Sequence, residues 1–218
     1  MKRPRAHAAP AATAPHQVRI IGGRWRRTPI AVLDVQGLRP TPDRVRETVF
    51  NWLAHLRPGF ESLRGLDLFA GTGAMGFELA SRGAQRVVLV ERDRGLADRL
   101  EALRQRLDAA GVEIVRGDAM LRAAAMPEGG FDLVFVDPPY DSGLLAPALR
   151  QAARLLVAGG LVYAENATPI PEDLLRQAGL TYLRAARAGR VHYYLLQRDP
   201  GTFPGGGPAT ADEPETRS

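Results

Sequence analysis

"LDLFAGTGAMGFEL", residues 66–79, runs from an apolar segment through a glycine-spaced turn into a second apolar segment. The first five residues read as a buried strand and 74–82 as a helix. Gly71, Gly73 and Gly76 have the G-x-G-x-x-G spacing. Glycine lets the backbone turn tightly and approach a ligand beside the N-terminus of the following helix. The motif carries meaning only between a strand and a helix, and here it has that context. Asp67, inside the strand, sets a carboxylate beside the loop, where it would repel a pyrophosphate and attract a positively charged amine.

The same alternation continues outward. "RVVLV" reads as a strand, and Leu96, Leu100, Leu103 and Leu107 give 94–110 the apolar face of a helix. Strand "VEIVR", a short helix over 119–126, strand "FDLVFV", a helix through "LLAPALRQAARLL", strand "GLVYAE" and a helix near 171–178 follow. "LTYLRAARAGRVHYYLLQR" reads as two strands joined around Gly189. Five β/α units and a terminal hairpin predict an α/β fold, a doubly wound Rossmann-like sheet, mostly parallel with an antiparallel edge. Upstream, "VRII" and "IAVL" flank "GGRWRRTP" and suggest a small basic β-hairpin near 18–33. In "RPTPDRVRETVFNWLAHL", Thr41 is placed to cap a helix with Pro42 at its first position, and Val45, Val49, Trp52/Leu53 and Leu56 share one face. The expected organisation is one domain over 17–199: the hairpin within 17–40, a leading helix over 41–58 and the core over 64–198. The Ala/Pro-rich segment 1–16 and the tail 200–218 are expected to be disordered.

Composition narrows the class. With 218 residues, one core suffices, and the absence of cysteine excludes disulfides and thiolate chemistry. No apolar run approaches the roughly 20 residues of a membrane span, and the start has no apolar signal region, so a cytoplasmic protein is expected. His7, His16, His55 and His192 are scattered without ligand spacing, so no metal is expected. Net charge is +5, and residues 1–46 carry nine Arg and one Lys against Asp34 and Asp43. That balance favours a polyanionic partner. A ratio of 28 Arg to one Lys equally fits a GC-rich genome.

Ligands of such sheets bind beyond the carboxyl ends of the strands. Glu91, 20 positions after Gly71, stands where a carboxylate accepts hydrogen bonds from a ribose diol, and Asp118 stands where one can meet an adenine amino group. Each acid alone also fits a solvated turn. Together they suit an adenosine, and Asp67 favours S-adenosylmethionine over a dinucleotide. At the fourth strand end comes "DPPY", residues 137–140, where two prolines follow an aspartate and precede an aromatic ring.

"DPPY" resembles the catalytic motif of methyltransferases that act on exocyclic amines of bases. With "RIIGGRWRRTPI", "LRPTPDRVRETVFNWL", "LDLFAGTGAMGFELASRGA", "LVERD" and "VFVDPPYDSGLL" in collinear order, the chain is similar over about 18–198 to the small-subunit (16S) ribosomal RNA guanine-N2 methyltransferase family. It departs in having "WRRT" where members often have "WRGR", and Pro42 where Thr is common. The resemblance implies a class I methyltransferase fold, S-adenosylmethionine as donor with S-adenosylhomocysteine as product, and action on 16S ribosomal RNA of the small subunit, away from membranes; a monomer is assumed. It implies a cofactor site of Thr41, Asp67, Phe69, Gly71, Gly73, Glu91, Arg92, Asp118 and Ala119. Asp137, Pro138, Pro139 and Tyr140 become the catalytic set. Arg19, Arg24, Arg26 and Arg27 are candidate phosphate contacts, with Trp25 either a stacking ring or a packing anchor. Adenine-N6 methylation, a nicotinamide-dependent oxidoreductase and a non-catalytic RNA-binding assembly factor are the alternatives.

Overall fold

The computed structural model describes residues 17–32, 41–57 and 59–200. The expected arm 1–16, most of the expected tail, and 33–40 of the hairpin segment lie outside the described residues. A two-stranded antiparallel ribbon, β1 (Gln17–Arg19) and β2 (Pro29–Ala31), precedes helix α1 (Asp43–Leu56). The core follows as β3 (Arg64–Asp67), α2 (Ala74–Ser81), β4 (Arg86–Glu91), α3 (Arg94–Arg106), β5 (Val112–Arg116), α4 (Ala119–Ala125) and β6 (Phe131–Val136). It closes with α5 (Leu145–Leu155), β7 (Leu156–Asn166), α6 (Glu172–Gln177), β8 (Leu180–Ala188) and β9 (Val191–Arg198).

The seven core strands form one sheet in the order β5-β4-β3-β6-β7-β9-β8. Pairing is parallel from β5 to β7 and antiparallel for β7–β9 and β8–β9. The chain builds one way from β3 to β4 and β5, then returns to the other side of β3 with β6. That reversal opens a crevice at the carboxyl ends of β3 and β6. Two apolar clusters cover the sheet. Val45, Val49, Phe50, Phe77, Leu79, Leu100 and Leu103 bring α1, α2 and α3 to one face, and Ala123, Leu149, Ala152, Leu155 and Leu175 bring α4, α5 and α6 to the other. The sheet is therefore a middle layer, with its central strands apolar on both sides.

Three boundaries differ from the sequence reading for local reasons. The helix expected to reach 110 stops at Arg106, with Leu107 as C-cap and Asp108 at φ 48°, a left-handed conformation that Asp tolerates. β7 starts at Leu156, earlier than "GLVYAE", and its register with β6 shifts around Gly159 (φ 70°), so two glycines make an irregularity rather than a break. The cap expected from Thr41 is absent: Pro42 is the N-cap residue and no side chain caps α1. The Thr41 hydroxyl instead donates to Glu165 Oε1, 124 positions away, at 2.7 Å.

The ribbon is fastened by a buried ion pair. Glu78, on α2, accepts from the amides of Ile21 (2.6 Å) and Gly22 (2.9 Å) and pairs with Arg82. Arg46, fully buried on α1, donates to the carbonyls of Thr41 and Arg19 and to Asp43, and its NH1 lies 3.6 Å from Glu78 Oε2. One guanidinium thus joins the ribbon, the segment before α1 and α2. Removing one partner of such a pair strands the other charge. Glu78→Ala is expected to cost about 3–5 kcal/mol in urea unfolding, and a loss under about 1 kcal/mol would contradict the role given to the pair.

Candidate active site

The crevice holds a cavity of about 280 Å³. Its floor is the β3–α2 turn. Gly71 has φ 52° and Gly73 φ 77°, conformations that a Cβ disfavours. The glycines have separate reasons. A Cβ on Gly73 would stand 2.5 Å from Leu100 Cδ2, and one on Gly76 2.9 Å from Leu89 Cγ. Gly73 and Gly76 therefore let α2 close on its neighbours, while Gly71 lines the cavity.

The cavity wall bears the carboxylates of Asp67, Glu91, Asp93, Asp118 and Asp137, with Arg92 as its cation. Each strand end fixes its acid. Glu91 closes β4; its Oε2 accepts from Gly71 N and its Oε1 from Asp93 N, both at 2.8 Å. The carboxylate thus ties the glycine loop to the next turn. Asp118 caps α4, Oδ1 accepting from Met120 N (2.9 Å) and Leu121 N (3.0 Å). Asp67 is buried at the end of β3, where the amides of Phe69 and Gly76 donate to it.

At the tip of β6, Asp137 is half-buried, Pro138 is buried, and Pro139 and Tyr140 are exposed. Ser142 N donates to Pro139 O at 3.3 Å, with Asp141 at φ 59°, so a tight turn carries the Tyr140 ring to the mouth of the cavity. Behind Asp137 lies Glu165 on β7. Its Oε1 accepts from both Thr41 Oγ1 and Tyr163 Oη (2.6 Å). Thr41 and Tyr163 line the cavity in turn.

The acids crowd one another. Burial first, and then the charge of Glu91, push the Asp67 carboxyl up to about 7, against the pull of its two amide donors. Burial, then Glu165, then Asp67 raise Asp137 well above the usual carboxylate range. Glu165 is also raised by burial, with the Tyr163 and Thr41 hydroxyls opposing. A cavity with this excess of buried negative charge suits a ligand bearing positive charge and hydrogen-bond donors. The acceptors at Asp67, Glu91 and Asp118 call for donors on that ligand. They fit a pyrophosphate poorly.

Of the residues expected at the cofactor and catalytic sites, Thr41, Asp67, Phe69, Gly71, Glu91, Arg92, Asp118, Ala119, Asp137, Pro138, Pro139 and Tyr140 share this one cavity. Gly73 stands outside the lining. Arg19, Arg24, Trp25, Arg26 and Arg27 are elsewhere. Arg24 N and Trp25 N bond to Ser81, at the far end of α2, while Arg19 pairs with Asp43 at 3.3 Å. Trp25 packs half-buried against the core, as an anchor would. Glu165 and Tyr163 are absent from the sequence-derived set, although Glu165 ends a strand as the other acids do.

The family model described as conserved hypothetical protein 95 matches residues 18–197. Ribosomal RNA small subunit methyltransferase D of Escherichia coli K12 is 40% identical over 192 residues, spanning 84% of this chain and 91% of the relative. Its counterpart in Haemophilus influenzae is 37% identical over 186 residues, spanning 83% and 94%. The solved structure of yhhF from Escherichia coli superposes with a TM-score of 0.72 at 36% identity, over 85% of this chain and 99% of that one. Precorrin-6y C5,15-methyltransferase from Geobacter metallireducens, at 18% identity and a TM-score of 0.62, shares the fold alone.

The raised Asp67 has a stability consequence of definite sign. The folded chain holds this proton more tightly than the unfolded chain, whose carboxyl sits near 3.8. Stability from this group is full below that value and falls as pH rises toward about 7. Asp67→Asn is therefore expected to flatten the decline in melting temperature of the free protein between about pH 4 and 7. An unchanged decline would contradict the assignment.

Proposed function

Because the chain belongs to the ribosomal RNA small subunit methyltransferase D family, we propose that it transfers a methyl group from S-adenosylmethionine to the exocyclic N2 of a guanine in 16S ribosomal RNA. The observation that carries this reading is the position of Asp137, which shares one cavity with Asp67, Glu91 and Asp118 and stands beside the Tyr140 ring. Adenosine-holding acids and a base-facing carboxylate thus meet in one place.

Bound there, S-adenosylmethionine supplies a methyl group on an already activated sulfonium leaving group. The chain's own residues do the rest. An exocyclic amine is a weak nucleophile because its lone pair is shared with the ring. The Asp137 carboxylate and the Pro138 carbonyl accept its two N–H bonds, which favours a pyramidal nitrogen and stabilises the positive charge that develops there. Two consecutive prolines restrict the backbone of that clamp. Tyr140 offers a face for a base drawn out of its stack, a contact worth about 1–3 kcal/mol. After transfer the nitrogen must lose a proton. The Asp137 carboxylate, which holds one of its N–H groups, is the nearest acceptor. Glu165, through Thr41 and Tyr163, keeps the wall behind Asp137 in place.

The test is incubation of the protein with labelled S-adenosylmethionine and undermethylated small subunits, followed by nucleoside analysis. Label is expected in N2-methylguanosine; label in N6-methyladenosine alone would overturn the guanine assignment. Asp137→Ala is expected to lower kcat by about 10²-fold or more while cofactor affinity stays within about threefold. Full activity in that variant would remove Asp137 from the chemistry.

A further inference from the structure

Strand register locates a surface that the reading above leaves unused. Val136 of β6 pairs with Ala164 of β7, which pairs with Tyr194 of β9, which pairs with Ala185 of β8. One step further along each strand, Asp137 is level with Glu165, Tyr193 and Ala186. The next row is Asn166, His192 and Arg187, and beyond it the β8–β9 turn closes through Ala188, Gly189, Arg190 and Val191. That turn therefore stands on the catalytic edge of the sheet. At about 4.8 Å per strand and 3.3 Å per residue, with β8 three strands from β6, its arginines lie roughly 14–16 Å from Asp137.

Arg187 and Arg190 are exposed there, and neither has a carboxylate partner among the described residues. Arg187 Nε donates to Gly189 O at 2.7 Å, which braces its guanidinium along the turn. Arginines at the amino edge behave differently. Arg64 pairs with Asp132, Arg82 with Glu78 and Arg86 with Glu113. The tip of the β1–β2 ribbon also carries arginines with no carboxylate partner among the described residues, but its contacts with Ser81 set it near that amino edge rather than on the catalytic one.

We propose that Arg187 and Arg190 grip the RNA phosphates flanking the target nucleotide, so that the β8–β9 turn, across β7 and β9 from β6 and on the side away from β3 and β4, is an RNA contact on the catalytic edge. This rests on the RNA-methyltransferase reading. The strand supplies its own control. Arg184 is exposed on the same edge strand, where charge deters strand addition, but its partner row is Leu195, below the catalytic row.

The experiment measures binding of undermethylated small subunits across salt concentrations for wild type, Arg187→Ala/Arg190→Ala and Arg184→Ala, with S-adenosylmethionine affinity as a check of folding. The double variant is expected to bind about tenfold or more weakly at low salt. Its log–log salt slope is expected to be shallower by about 1.4, two single-stranded phosphates at about 0.7 each. Cofactor affinity and the Arg184→Ala slope should match wild type. Wild-type binding by the double variant at every salt concentration, or an equal loss in Arg184→Ala, would overturn the inference while leaving the methyltransferase reading intact. Failure of wild type itself to bind or methylate subunits would overturn both.

Discussion

Burial of carboxylates at adjacent strand ends is the constraint around which this structure is arranged. Asp67, Asp137 and Glu165 close β3, β6 and β7, three neighbours in the sheet, and each is pushed toward its protonated form by burial. A fold selected for stability alone would not gather them. Parallel strands do so unavoidably once each ends in an acid, because their carboxyl ends share one edge. A positively charged ligand bound there would relieve that crowding.

Around that cluster the structure is stiff in particular places. Glu91 holds the glycine loop, Asp118 holds the start of α4, and Glu165 holds Thr41 and Tyr163. All three organise backbone or hydroxyl groups, and Glu91 and Asp118 also line the cavity. Arg46 extends the arrangement outward: it joins the carbonyl of Thr41, at the cavity wall, to the carbonyl of Arg19 in the ribbon. The ribbon is thus part of the same body as the site.

Strand periodicity, the glycine spacing and the acids at strand ends were legible in the sequence because each is a local signal. The alternation of apolar strands with 3.6-period helices specified the layers, and the parallel order then collected Asp67, Glu91, Asp118 and Asp137 at one edge. What escaped was non-local. Thr41 before a helix reads as a cap by every neighbouring residue, and only the partner 124 positions away redirects its hydroxyl. Glu165 was hidden inside the strand it terminates, although the strand-end rule that found the other acids applies to it. The basic ribbon is legible in type but not in position. Its charge is evident from sequence, but its distance from the cavity depends on which end of α2 it packs against. The β8–β9 turn is the converse case, since Arg187 and Arg190 gain their place only from antiparallel register.

The most direct measurement of the central claim is the number of protons released when S-adenosylmethionine binds. Calorimetric titration near pH 6.5, in buffers of different ionisation enthalpy, reads it without any turnover. If a cation relieves crowded, partly protonated carboxylates, binding releases a substantial fraction of a proton or more, and Asp67→Asn reduces the release. Binding with no proton release at that pH would contradict the account.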